Sequence, residues 1–135
     1  MFYVNKKMVL VINKMVIELS GGSATVGNNI RLGQNLSFID HIYNNSIFGM
    51  AIYSDIFHQA AAYMFYIIKN HIFWDGNKRT GLATAITFLE WNKILFSPFD
   101  EDKVFEFVMS VAQGENDPEA LLPVIASWLK DMSIH

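Results

Sequence analysis

Apolar positions along this chain recur mostly at helical spacing rather than in strict alternation. The clearest case runs from Ser54 to Asn70, where Phe57, Ala61, Met64 and Ile68 form one stripe. Ala60, Ala62, Phe65 and Ile67 fill the other faces, so this helix is expected to be wrapped by protein and to lie at the centre. Ser54 reads as its N-cap, with Asp55 in the first turn, where a negative charge suits the helix dipole. A second stripe, Leu82, Ala85, Ile86 and Leu89, leads towards Asn92. After the break "SPFDEDK", Val104, Phe105, Val108 and Val111 form another helical face. "QGENDPE" then reads as a loop before a closing helix over Ala120 to Met132, with Pro123 in its first turn.

The first third is less regular. Met8, Ile12, Met15 and Leu19 fit a helical stripe within Asn5 to Leu19, yet Val9, Val11, Val16 and Ile17 have strand propensity; helix is the expectation. "SGGSATVGNN" (20–29) reads as a loop or short hairpin. Ser37 to Phe48 reads as a short helix. The expected fold is all-α with a small β-hairpin, and at 135 residues a single domain over 1–135.

Charged residues make up only 17% of the chain, below the usual quarter, which points to extensive burial or to a face covered by a partner. A net charge of −3 argues against direct nucleic-acid binding held by phosphate contacts. Without cysteine there is no disulfide framework and no thiolate site. The longest apolar run near the N-terminus, Met8 to Ile12, is too short for a secretory core or a membrane span, so a cytoplasmic protein is expected.

The chemistry concentrates in "HIFWDGNKRTG" (71–81). The first turn of a helix has unpaired N–H groups and the positive end of the dipole, so Lys78 and Arg79 are misplaced there unless an anion joins them. A phosphate would satisfy the N–H groups and both cations, with Gly76 permitting close backbone approach. The plain alternative is two solvated cations paired with Asp75 or Glu90. A nucleotide-binding P-loop is excluded, since Lys78 is followed by Arg79 where that pattern needs Ser or Thr. His71, at the exit of the apolar helix, could take a proton from an attacking hydroxyl or merely complement the helix dipole. Asp75 could hold magnesium or cap the following helix. Zinc is disfavoured for want of further ligands at suitable spacing.

His71-Ile72-Phe73-Trp74-Asp75-Gly76-Asn77-Lys78-Arg79-Thr80 resembles the H-x-F-x-D-A/G-N-K-R-T form of the Fic/Doc family motif. "YSDIFHQAAAYMFYIIKNH" and "LATAITFLEWN" are similar to the family's flanking helices. "ELSGG", with Gly21 and Gly22, resembles the entry to its target-docking flap, and the likeness spans roughly residues 18 to 96. The resemblance implies a helical Fic/Doc fold with a β-hairpin flap, and a transferase acting from ATP onto a protein hydroxyl. It implies His71 as general base, Asp75 placing Mg2+, and Gly76, Asn77, Lys78 and Arg79 holding phosphates, with Phe73 anchoring the loop.

AMP-transferring members show H-P-F-x-x-G-N-G-R-x-x-R, whereas here the second glycine is Lys78 and the last arginine is Leu82. Both departures are those of Doc-type (death-on-curing) toxins, which transfer the γ-phosphate. The resemblance therefore implies a protein phosphotransferase acting on elongation factor Tu and arresting translation. Nucleotidyl (AMP) transfer and a catalytically silent partner-binding module remain open alternatives. The family's inhibitory pattern, Ser/Thr-x-x-x-Glu-Gly/Asn, is approached only by Ser110 to Asn116, with one residue too many before Glu115. Inhibition in trans is then implied, by an antitoxin whose C-terminal segment docks on the toxin.

Overall fold

The computed structural model describes residues 1–22, 29–46 and 48–134. Among them are six α-helices: α1 (Lys6–Leu19), α2 (Phe38–Tyr43), α3 (Ile56–Lys69), α4 (Asn77–Trp91), α5 (Glu101–Gln113) and α6 (Pro118–Met132). The predicted all-α architecture is present, and α3 is its axis. Every residue from Gln59 to Phe65, with Ile67 and Ile68, is buried in α3, and α2, α4, α5 and α6 all pack on it. A helix apolar on all faces has no stable place except inside.

Two close contacts fix the neighbours of α3. A Cβ on Gly81 of α4 would lie 2.9 Å from Ile68 Cγ1 and 3.1 Å from the Met64 carbonyl, so only glycine lets α4 approach this near. The buried Tyr63 hydroxyl donates to the Val4 carbonyl (2.8 Å) and accepts from the Val4 N–H (3.1 Å), tying the segment before α1 to the core. Burial raises the Tyr63 phenol well above its ordinary pKa. Strand structure among the described residues is confined to isolated bridges, including Ile30 with Phe73 and Phe96 with Ser133.

Several sequence expectations need correction. The cap of α3 is Asp55, whose carboxylate accepts from the His58 N–H, while the Ser54 hydroxyl meets the His58 ring instead. The helix expected over Ser37–Phe48 ends at Tyr43, because Asn45 turns to clamp Tyr53 through its N–H (2.6 Å) and carbonyl (3.0 Å). In α1 the buried residues are Val9, Asn13 and Ile17, whereas Met15 and Leu19 of the expected stripe are exposed. In α4, Gly81, Thr84, Ala85, Phe88 and Leu89 face inward, with Leu82 and Ile86 half-buried. Asp100 caps α5, so that helix starts inside "SPFDEDK". Pro118, not Pro123, occupies the first turn of α6; Pro123 lies within the helix on an exposed face. The hairpin expected within 20–29 falls mainly on residues 23–28, outside the described residues; Gly21 and Gly22 close the end of α1 through bonds to the Glu18 and Ile17 carbonyls.

Candidate active site

The 71–77 turn is fastened from three directions. Its entry is His71, which follows the α3 C-cap Asn70 and has φ +49°. That left-handed conformation is the one glycine normally supplies at a helix end. Ile72 and Phe73 are buried behind it, and Phe73 pairs with Ile30. Across the turn, the buried Asn77 side chain accepts from the Phe73 N–H and donates to the Phe73 carbonyl, both at 2.8 Å. Gly76 caps α4 at φ +80°, and a Cβ there would press on Ile17 and Asn13 at 3.3–3.4 Å. The turn is thus squeezed between α1 and the core.

From α1 the buried Asn13 amide donates to the Asp75 carbonyl and the Thr80 hydroxyl, each at 3.1 Å. Asn29 donates to the same Asp75 carbonyl at 3.1 Å and to Asn13 Oδ1 at 3.0 Å. The Trp74 N–H donates to the Asn29 carbonyl (2.8 Å). Arg31 reaches the His71 carbonyl (3.0 Å) and lies 5.7 Å from the Trp74 ring centre.

Among the described residues, the N–H groups of Gly76, Asn77 and Lys78 donate to no protein group. Lys78 and Arg79 are exposed, and the ion pairs of the described residues include neither. The expected alternative of pairing with Asp75 or Glu90 is therefore not the arrangement found. Arg79 instead donates to the Ser20 hydroxyl at the end of α1. His71, Asp75, Gly76, Asn77 and Lys78 line one cleft of about 310 Å3, with Ile68, Trp74 and Ala112. Lys78 and Arg79 also border a more apolar cleft of about 480 Å3 between α4 and α5, walled by Leu82, Phe99, Val104 and Phe105 among others.

The fold thus gathers His71, Asp75, Gly76, Asn77, Lys78 and Arg79 around one turn. Asn77 differs from the others in that its side chain is committed to the loop through both of its bonds to Phe73. Asn13, Asn29 and Arg31 escaped the sequence reading, being distant in the chain from the turn they hold. Among the described residues no group of three or more His, Asp or Glu side chains converges as a metal cage. The lone Asp75 carboxylate nonetheless fits magnesium, which commonly takes one or two carboxylates and completes its shell with substrate phosphates and water.

This helical fold, built around a central helix that leads into the 71–77 turn, is that of the Fic/DOC family, whose sequence pattern residues 3–89 match. The chain belongs to that family. It is 28% identical over 114 residues to Toxin Doc of Mycolicibacterium smegmatis, covering 82% of this chain and 87% of that protein. It is 36% identical over 62 residues to Protein kinase doc of Escherichia phage P1, covering 46% and 48% respectively. Among the described residues no helix is long and apolar enough to cross a membrane.

Proposed function

We propose that this protein is a Doc-like toxin that transfers the γ-phosphate of ATP to a hydroxyl of a protein target. The observation that carries the proposal is the open mouth of α4: among the described residues the N–H groups of Gly76, Asn77 and Lys78 donate to no protein group and two cations have no acid partner, in one turn with His71. A helix N-terminus of this kind favours an anion, and the cations multiply its charge. Names such as Toxin Doc and Protein kinase doc among the relatives point the same way.

The clefts favour the terminal phosphate over the α-phosphate. Lys78 borders both clefts, His71 only the polar one, and Arg79 borders the apolar one but not His71's. A nucleoside in the apolar cleft against Phe99 and Phe105 leads the phosphate chain past Arg79 and Lys78, so the γ-phosphate ends beside His71. The target hydroxyl oxygen forms the new bond to the γ-phosphorus, the bond from that phosphorus to the β-bridging oxygen breaks, and ADP leaves. The hydroxyl proton passes to His71. Asp75 would hold magnesium, which neutralises phosphate charge when bound. Elongation factor Tu is the proposed target, translation arrest the consequence, the cytoplasm the setting, and an antitoxin docking by its C-terminal segment the partner.

Incubation of the purified protein and a translation extract with ATP labelled at the γ- or the α-phosphate tests the reaction. Label on a protein from the γ position alone is expected. Label from the α position would establish nucleotidyl transfer instead, and no label from either, with growth arrest unchanged in His71→Ala, would leave a non-catalytic binding module.

A further inference from the structure

Asn13 sits mid-helix in α1, 2% exposed, on the face that otherwise buries Val9 and Ile17. A buried amide is unfavourable unless bonded, and an apolar residue would serve packing better. Its bonds all leave its own helix: Nδ2 to the Asp75 carbonyl and the Thr80 hydroxyl, Oδ1 from Asn29. Asn29 supplies the Asp75 carbonyl with a second donor. One carbonyl oxygen of the turn therefore holds two side-chain amides from two different segments.

We propose that Asn13 and Asn29 are positioning residues that set the direction of the 75–76 peptide and so form the phosphate site. In a trans peptide the C=O and the following N–H point in opposite directions. With the Asp75 oxygen held towards α1, the Gly76 N–H points the opposite way; Gly76 borders His71's cleft, which no α1 residue lines, as well as a smaller cleft walled by Val16, Ile17 and Ser20. Gly76, at φ +80°, tolerates the rotated peptide as well as this one. Rotated, the same peptide would aim a carbonyl oxygen at an incoming phosphate. Glycine leaves both orientations open, and the two amides select the one that accepts an anion.

This inference rests on the phosphate-binding reading of the turn, so the experiment separates the two. Amide NMR follows Gly76 of the full chain during titration with inorganic phosphate, and steady-state assays give KM for ATP and kcat. The variants are Asn13→Asp, which replaces the donating Nδ2 by an oxygen of nearly equal shape, and Asn29→Ala, which removes one donor from a half-buried position outside the helices. In the unmodified protein the Gly76 resonance is expected to move with phosphate. In Asn13→Asp phosphate affinity is expected to fall roughly tenfold or more, and in Asn29→Ala by a smaller factor, with KM for ATP rising in step. Should Asn13→Asp fail to fold, Asn29→Ala decides alone. Folded variants that bind phosphate and move Gly76 as the unmodified protein does would overturn the clamp and leave phosphate binding intact. No response of Gly76 in the unmodified protein would overturn the phosphate site itself, and the clamp with it.

Discussion

His71 occupies a backbone position that suits glycine, and this makes a sharp prediction about trading stability for activity. Its φ of +49° costs an L-residue about 1–2 kcal/mol. Replacement by glycine removes that strain but returns about 0.5–1 kcal/mol through the larger entropy of the unfolded chain. The His71 side chain is exposed and makes no hydrogen bond among the described residues, so its loss adds little. His71→Gly is therefore expected to gain about 0.5–1 kcal/mol. At an unfolding entropy of about 2.1 cal/mol/K per residue, that raises the midpoint of this 135-residue chain by about 2–4 °C. His71→Ala retains the strain and should melt near the unmodified protein. Both variants should lose phosphotransfer, since neither offers a base. Thermal unfolding followed by circular dichroism, beside the labelled-ATP assay, reads both quantities. If His71→Gly melts no higher than His71→Ala, the strain argument fails; if either transfers phosphate at the original rate, the general-base assignment fails.

Gly76→Ala introduces a Cβ against Asn13, Val16 and Ile17 at a positive φ, and is expected to cost about 2 kcal/mol in urea unfolding and to weaken ATP binding. The Lys69 ammonium donates to the Val111, Ala112 and Gly114 carbonyls (3.1, 3.2 and 2.7 Å) and caps the end of α5. Lys69→Met is expected to cost about 1.5–3 kcal/mol by the same measurement, whereas an unchanged urea midpoint would show the cap to be idle. At Asp55, burial tends to raise the carboxyl pKa, but the bonds and charge of His58 outweigh it and the net shift is downward. The folded state then binds fewer protons there, so its stabilisation is present above the ordinary carboxyl range and is lost as pH falls through the depressed pKa. Asp55→Ala should lower stability at neutral pH by about 1 kcal/mol through the lost cap, and flatten the decline in acid. An equally steep acid decline in the variant would remove Asp55 from that account.

The turn was legible because its chemistry is contiguous: histidine, acid, glycine, amide and two cations within one short run. So was α3, since an all-round apolar helix has one place to go. What escaped depends on contacts between distant segments. Periodicity cannot see that Asn13 points inward, because an amide among apolar residues looks like the solvent side of a helix. The stripe drawn through Met15 and Leu19 was displaced for that reason. Ser54 and Asp55 are both good caps, and only the extended backbone of Asp55 decided between them. Asn77 was legible as part of the turn, but its bond pair with Phe73 depends on how the turn folds back. Phe105 fits a core stripe by spacing, yet it stands 64% exposed at the rim of the apolar cleft, where no helical repeat would place it.

A crystal structure of the protein with magnesium and a non-hydrolysable ATP analogue bears most directly on the orientation of the nucleotide. It should show phosphate oxygens on the Gly76, Asn77 and Lys78 N–H groups, the base between α4 and α5, and the γ-phosphorus as the one nearest His71. An α-phosphorus nearest His71, or a nucleotide bound away from the mouth of α4, would contradict the account.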